Sequence, residues 1–162
     1  MRLSDKREGV RMIYGAIEAG GTKMVCAIGT ADGELVAEAI FATKDPSETT
    51  RELMTFFQGK AIKALGIGAF GPVDLNPASP TYGHILETPK LSWRYFDFAG
   101  ALQRALAVPV GIDTDVNAAC LGEMTYGSAQ GLKNVIYITV GTGIGAGVAV
   151  DGKLLHGMLH PE

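Results

Sequence analysis

Ile13-Tyr14-Gly15-Ala16-Ile17-Glu18-Ala19-Gly20-Gly21-Thr22-Lys23-Met24-Val25-Cys26-Ala27-Ile28 reads as an apolar strand, a turn of glycine and threonine, and a second apolar strand. About 120 residues later the pattern returns as Ile136-Tyr137-Ile138-Thr139-Val140-Gly141-Thr142-Gly143-Ile144-Gly145-Ala146-Gly147-Val148-Ala149-Val150. Each copy runs on into an Asp-Gly pair, Asp32-Gly33 and Asp151-Gly152, which signals a tight hairpin. Backbone N–H groups in such a turn can approach an anion where no side chain intervenes, and a threonine hydroxyl adds a donor. A single copy reads equally well as a glycine-rich β-turn. Two copies in the same setting point to a pair of loops that hold the phosphates of one nucleotide from both sides.

Outward from the first copy, strands are expected at 12–19, 23–29 and 34–42. A helix then opens with Asp45 as cap, Pro46 in its first turn and Glu48 three residues after the cap, and runs to about Phe57. A strand over 61–69 leads into a long loop rich in proline and glycine. Asp97 caps a second helix with an apolar face of Phe98, Leu102, Ala105 and Leu106, which Pro109 stops. The strand 108–114 passes straight into a helix near Asp115 that fades by Gly127. The order βββαβαβα followed by two strands implies an α/β fold with a mixed sheet. Residues 1–11 are expected to be a disordered lead-in, 12–130 one α/β domain, and 131–162 the incomplete start of a second, similar domain.

Composition narrows the function. Of 162 residues, 47% are hydrophobic, enough for a core, and the 22 glycines gather in the turns quoted above. A net charge of −3 argues against a nucleic-acid or membrane-surface partner. No apolar run reaches the ~18 residues of a membrane span, and Met1–Arg11, charged and without an apolar core, is not expected to act as a signal peptide. Cys26 and Cys120 stand singly in apolar surroundings, as buried reduced thiols of a cytoplasmic protein do.

Gly66-Ile67-Gly68-Ala69-Phe70-Gly71 matches G-x-G-x-x-G, the dinucleotide fingerprint. That mechanism needs a helix opening at the third glycine, whereas here Pro72, Asp74, Asn76 and Pro77 follow, a loop composition. Asp113-Thr114-Asp115-Val116-Asn117 is a better candidate, because it ends an apolar strand at the sheet edge where α/β proteins build sites. Asp115 reads either as a helix N-cap or, joined with two phosphate loops, as the base that takes a proton from a substrate hydroxyl.

Together these residues resemble the ROK sugar kinases (repressor, open reading frame, kinase), of the actin-like ATPase, ribonuclease H-like fold. Glu18 through Lys23 is similar to the first phosphate motif of that family, and Val140 through Gly145 to the second. Asp115-Val116-Asn117-Ala118-Ala119 with Leu121-Gly122-Glu123 resembles the segment of the catalytic aspartate, and His160-Pro161-Glu162 the start of E-x-G-H. Glu18 in place of the commoner Asp, and Thr88-Pro89-Lys90 with Trp93, resemble the bacterial fructokinase branch; Thr114 stands where many members have Asn.

The resemblance implies ATP-dependent phosphorylation of a hexose 6-hydroxyl, most simply that of fructose, with Asp115 as catalytic base. Gly20, Gly21, Thr22, Lys23, Gly141, Thr142 and Gly143 would hold ATP. Gly71, Pro72, Asn117 and Glu162 would serve the sugar, and Glu18 would place Mg²⁺ through water. Zinc, held by longer members, has no Cys cluster here, and His84, His156 and His160 read as loop or exposed histidines. The alternatives are a non-catalytic remnant or half-protein that needs a partner chain, and a sugar-responsive regulator of the same family. For the regulator, the eleven residues ahead of the first strand are too few for a helix-turn-helix. The uncovered second-domain strands are expected to drive self-association.

Overall fold

The computed structural model describes residues 12–141 and 143–157. The expected lead-in at 1–11, and Thr142, His160, Pro161 and Glu162, therefore lie outside the described residues. Three strands open the chain, β1 (Ile13–Ala19), β2 (Lys23–Thr30) and β3 (Leu35–Ala42), paired antiparallel as a meander. Helix α1 (Pro46–Phe57) starts as its sequence signals dictate, with Asp45 Oδ1 accepting from the N–H groups of Ser47 and Glu48. Next come β4 (Leu65–Ala69), α2 (Phe98–Leu106), β5 (Val110–Thr114) and α3 (Asp115–Thr125).

The first sheet has the order β3-β2-β1-β4-β5, with β1, β4 and β5 parallel, so it is mixed as expected. One face carries the core. Ile17, Ala19, Met24, Cys26 and Ile28 pack against Leu53 and Phe57 of α1 and against Phe98 and Leu102 of α2. Trp93, in a 3₁₀ turn at Leu91–Trp93, is fully buried with its indole N–H donating to the Lys44 carbonyl. Burying side chains of this size stabilises the fold by about 1.5–3 kcal/mol each. The opposite face of the sheet carries α3.

Four expectations need correction. The strand expected from Ala61 starts only at Leu65. Gly59, with φ 73°, turns the chain out of α1, and Ile62 donates back to the Lys60 carbonyl before the ladder begins. The strand expected from Val108 starts at Val110, because Ala107 caps α2 in the left-handed region and Pro109 has no N–H to pair. Ala105 is exposed, so the buried face of α2 is Phe98, Ala99 and Leu102. Among the described residues the closing strands number three: β6 (Val135–Val140), β7 (Ile144–Val150) and the short β8 (Lys153–Leu154), in the order β6-β7-β8. Asp151 and Gly152 both take positive φ at the β7–β8 turn, the conformation that an Asp-Gly pair favours.

This second sheet packs on α3. A Cβ on Gly147 would stand 2.9 Å from Cys120 Cβ and run into the Val116 carbonyl, and one on Gly145 would stand 3.0 Å from Val116 Cγ1. Only glycine lets the strand lie this close to the helix. The outer face of the ribbon is bare, with Ile136, Ile138, Val140 and Ile144 each more than 60% exposed.

Candidate active site

Because β1, β4 and β5 run parallel, their C-terminal ends share one edge of the sheet. The candidate residues that the sequence marks on the first sheet lie along that edge: Glu18 and the Gly20–Lys23 turn at the end of β1, Gly71 and Pro72 after β4, and Asp113 through Asn117 where β5 passes into α3. Register brings Glu18, Gly68 and Asp113 side by side across three strands. Alternation then sends the Glu18 and Asp113 side chains to the α3 face, their backbones about 10 Å apart.

The first turn is built for glycine. A Cβ on Gly20 would stand 2.8 Å from the Lys23 carbonyl oxygen, which already accepts from the Gly20 N–H. Thr43 fastens the turn from β3 by donating its hydroxyl to the Gly20 carbonyl at 2.7 Å. Gly21, Thr22 and Lys23 remain exposed. The Lys90 side chain comes within 3.8 Å of where a Gly21 Cβ would stand, so two lysines flank the turn. The second turn lies between β6 and β7, where the Gly141 N–H donates to the Gly143 carbonyl at 2.8 Å.

Thr114, rather than Asp115, caps α3: its side chain accepts from the Asn117 N–H at 3.1 Å. Asp115 is thereby the first helical residue, and among the described residues only its Oδ1 is engaged, by the Val116 N–H at 2.9 Å. Placed where the helix dipole stabilises negative charge, the carboxylate still has an oxygen for a hydroxyl. Asn117 is 6% exposed, and its amide nitrogen donates to Asp113 Oδ1 at 2.9 Å.

Sequence reasoning gave no role of their own to three residues that hold this arrangement. Gly68, part of the dinucleotide decoy, lets α3 approach β4: a Cβ there would stand 2.6 Å from Ala118 Cβ and 3.4 Å from Asp115 Cα. Asp113 commits both carboxylate oxygens, one to Asn117 and the Thr114 N–H, the other to His156 Nε2 at 2.8 Å. His156, read from sequence as a loop or exposed histidine, is half exposed and makes that contact. No local pattern flags residues 43 positions apart, although the G-x-G spacing did mark Gly68.

Beneath the edge, between the outer sheet face and α3, runs a groove of about 750 Å³ floored by Ala16, Gly66 and Gly111. Glu18, Asp113 and Asp115 line it, whereas none of the described residues of the two glycine-rich turns does.

The ROK family model matches residues 14–162. A Bacillus subtilis (strain 168) protein named "Putative fructokinase" is 51% identical over 150 residues, 93% of this chain and 50% of the relative. The fructokinase of Lactococcus lactis subsp. cremoris is 44% identical over 92% of this chain and 50% of its own length. A ROK family glucokinase from Streptomyces griseus, solved with glucose and AMPPNP, superimposes with a TM-score of 0.76 at 28% identity, over 92% of this chain and 48% of that one. The chain spans about half the length of the curated relatives it matches. The five-stranded mixed sheet with its flanking helices is the actin-like ATPase fold of those kinases, and with the family match over nearly all described residues it settles the kinship: the chain belongs to the ROK family.

Proposed function

We propose that this chain supplies the phosphate turns and catalytic carboxylate of an ATP-dependent hexose kinase, with fructose as the acceptor and the cytoplasm as its place of work. What carries this is Asp115: a carboxylate at the parallel edge of the sheet, freed from capping by Thr114, on the edge that also bears the Gly20–Lys23 turn. The names of its relatives support the same reading, since proteins 40–51% identical to this chain are called fructokinases. The solved glucokinase holds a sugar and an ATP analogue together.

In this mechanism Asp115 accepts the proton of the sugar 6-hydroxyl and aligns its oxygen with the γ-phosphorus. Phosphoryl transfer asks chiefly for such alignment and for a cradle for charge. Gly20, Gly21, Thr22 and Lys23, with Gly141, Thr142 and Gly143, form that cradle, and Lys90 adds a second cation. Asn117, Gly71, Pro72 and Glu162 orient the sugar. Among the described residues no group of three His, Cys, Asp or Glu is placed to hold a metal ion. Glu18 nonetheless fits Mg²⁺, which commonly takes one or two carboxylates, several waters and the phosphates of its nucleotide. Bound there, Mg²⁺ would neutralise charge on the transferring phosphate.

The test joins this chain to the C-terminal half of the Bacillus subtilis relative and measures fructose phosphorylation. Asp115→Asn is expected to keep the fold and nucleotide binding and to lower turnover by ~10²-fold or more. Undiminished turnover would leave Asp115 without a chemical role.

A further inference from the structure

Among the described residues, Asp113 is the one carboxylate of the site edge whose two oxygens are both spoken for by side chains. Its Oδ1 receives the Asn117 amide at 2.9 Å, and its Oδ2 meets His156 Nε2 at 2.8 Å. Asp113 and Asn117 belong to β5 and α3, whereas His156 follows β8 and therefore belongs to the ribbon. The chain His156–Asp113–Asn117 thus crosses from the second sheet to the turn that carries Asp115.

From this geometry we infer that His156 is a positioning residue for the sugar side of the site, a role that rests on the kinase reading above. An ionised carboxylate only accepts, so the hydrogen of this bond lies on His156 Nε2. The bond fixes the Asp113 carboxylate in one rotamer. Asp113 then holds one amide hydrogen of Asn117, while the Thr114 hydroxyl holds the Asn117 backbone N–H at 3.1 Å. The Asn117 carboxamide, 6% exposed, is left with one orientation: Nδ2 toward Asp113, and Oδ1 turned away and, among the described residues, open to a donor. A carboxamide oxygen held in this way suits a sugar hydroxyl, for which direction of the hydrogen bond decides fit.

His156 is half exposed and sits in a loop, so its substitution spares the core. In His156→Ala the Asn117 carboxamide loses its backing. In His156→Gln a side-chain N–H of similar reach replaces Nε2–H. Proton–nitrogen NMR of the 162-residue chain reads the contact directly. The wild-type ring is expected to carry its hydrogen on Nε2. The side-chain amide of Asn117 is expected to exchange with water about tenfold faster in the Ala variant and near the wild-type rate in the Gln variant. In the chain joined to the relative's C-terminal half, Ala should raise KM for fructose severalfold, hold kcat and KM for ATP within twofold, and be rescued by Gln.

Unchanged Asn117 exchange in His156→Ala overturns the inference. So does a fall in kcat with no change in KM for fructose. If the joined wild-type chain transfers no phosphate, the kinase reading fails with it, while the NMR comparison still decides whether His156 holds Asn117.

Discussion

Gly68→Ala tests the packing that sets Asp115. The added methyl would stand 2.6 Å from Ala118 Cβ, where carbon atoms normally rest about 3.5–4.0 Å apart. Relief needs a shift of roughly 1 Å in α3 or β4, and overpacking of this kind typically costs 1–3 kcal/mol. The same position lies 3.4 Å from Asp115 Cα, so α3 cannot yield without carrying the carboxylate along. Gly66→Ala is the matched control, two residues earlier on the same strand and with no atom within 4 Å of the new methyl. It should be neutral or stabilise by about 0.4–1 kcal/mol through the unfolded chain. Urea unfolding of the 162-residue chain gives both values from midpoints at unchanged slope. Adding Ala118→Gly removes the methyl in the way, at a helix-propensity cost of about 1 kcal/mol on its own. In the Gly68→Ala background it should recover stability, with a coupling of about 1–2 kcal/mol. If Gly68→Ala costs no more than Gly66→Ala, or the pair proves additive, close approach at Gly68 does not place α3.

Two further outcomes are expected. Burial pushes the Cys26 thiol up to about 12, from an ordinary 9.0. The folded state thus keeps its proton to higher pH than the unfolded state, so this contribution is whole below pH 9 and is lost as pH climbs toward 12. Cys26→Ala should flatten the alkaline loss of stability relative to wild type; parallel curves in urea titrations from pH 8 to 10.5 would refute this. The bare outer face of the ribbon should drive self-association, seen as concentration-dependent sedimentation that Ile138→Lys abolishes. A wild-type chain that stays monomeric throughout would show the face to be harmless.

Much of the fold is local in origin, which is why it can be read from the chain. The Asp45-Pro46 start of α1, the alternation along β1 and β2, and the Asp151-Gly152 turn each depend on neighbours within a few positions. Ala61 through Ala64 misled because Ile62 is buried whether it sits in a strand or in the entry to one, and hydrophobicity reports burial rather than pairing. Asp115 read as a possible cap, yet Thr114 takes that place because β5 enters α3 without a loop, which leaves Thr114 extended at ψ 155°. Gly68, Asp113 and His156 act through partners brought close by the fold. Gly68 even carried a misleading motif, because its missing side chain serves a helix packed on the strand rather than a phosphate.

Helix α3 explains why the candidate site forms where it does. Its sequence shows no strong apolar stripe, because it is packed on two sides. Val116 and Cys120, four apart, face Gly145 and Gly147 of the second sheet. Asp115, Ala118, Ala119 and Gly122 face the groove and the first sheet. Small residues on α3, met by glycines on both β4 and β7, let two sheets close on one helix, and its first turn then lies at their junction. The carboxylate there shares its sheet edge with the Gly20–Lys23 turn, while the ribbon bearing the second glycine-rich turn is packed against the same helix. His156 adds a polar tie across the junction that packing alone lacks, since apolar contacts resist separation but set no direction for Asn117. A change in how the ribbon seats on α3 should therefore be felt at Asn117 before it is felt at Asp115, whose position is fixed by Thr114 and Gly68 within the first sheet.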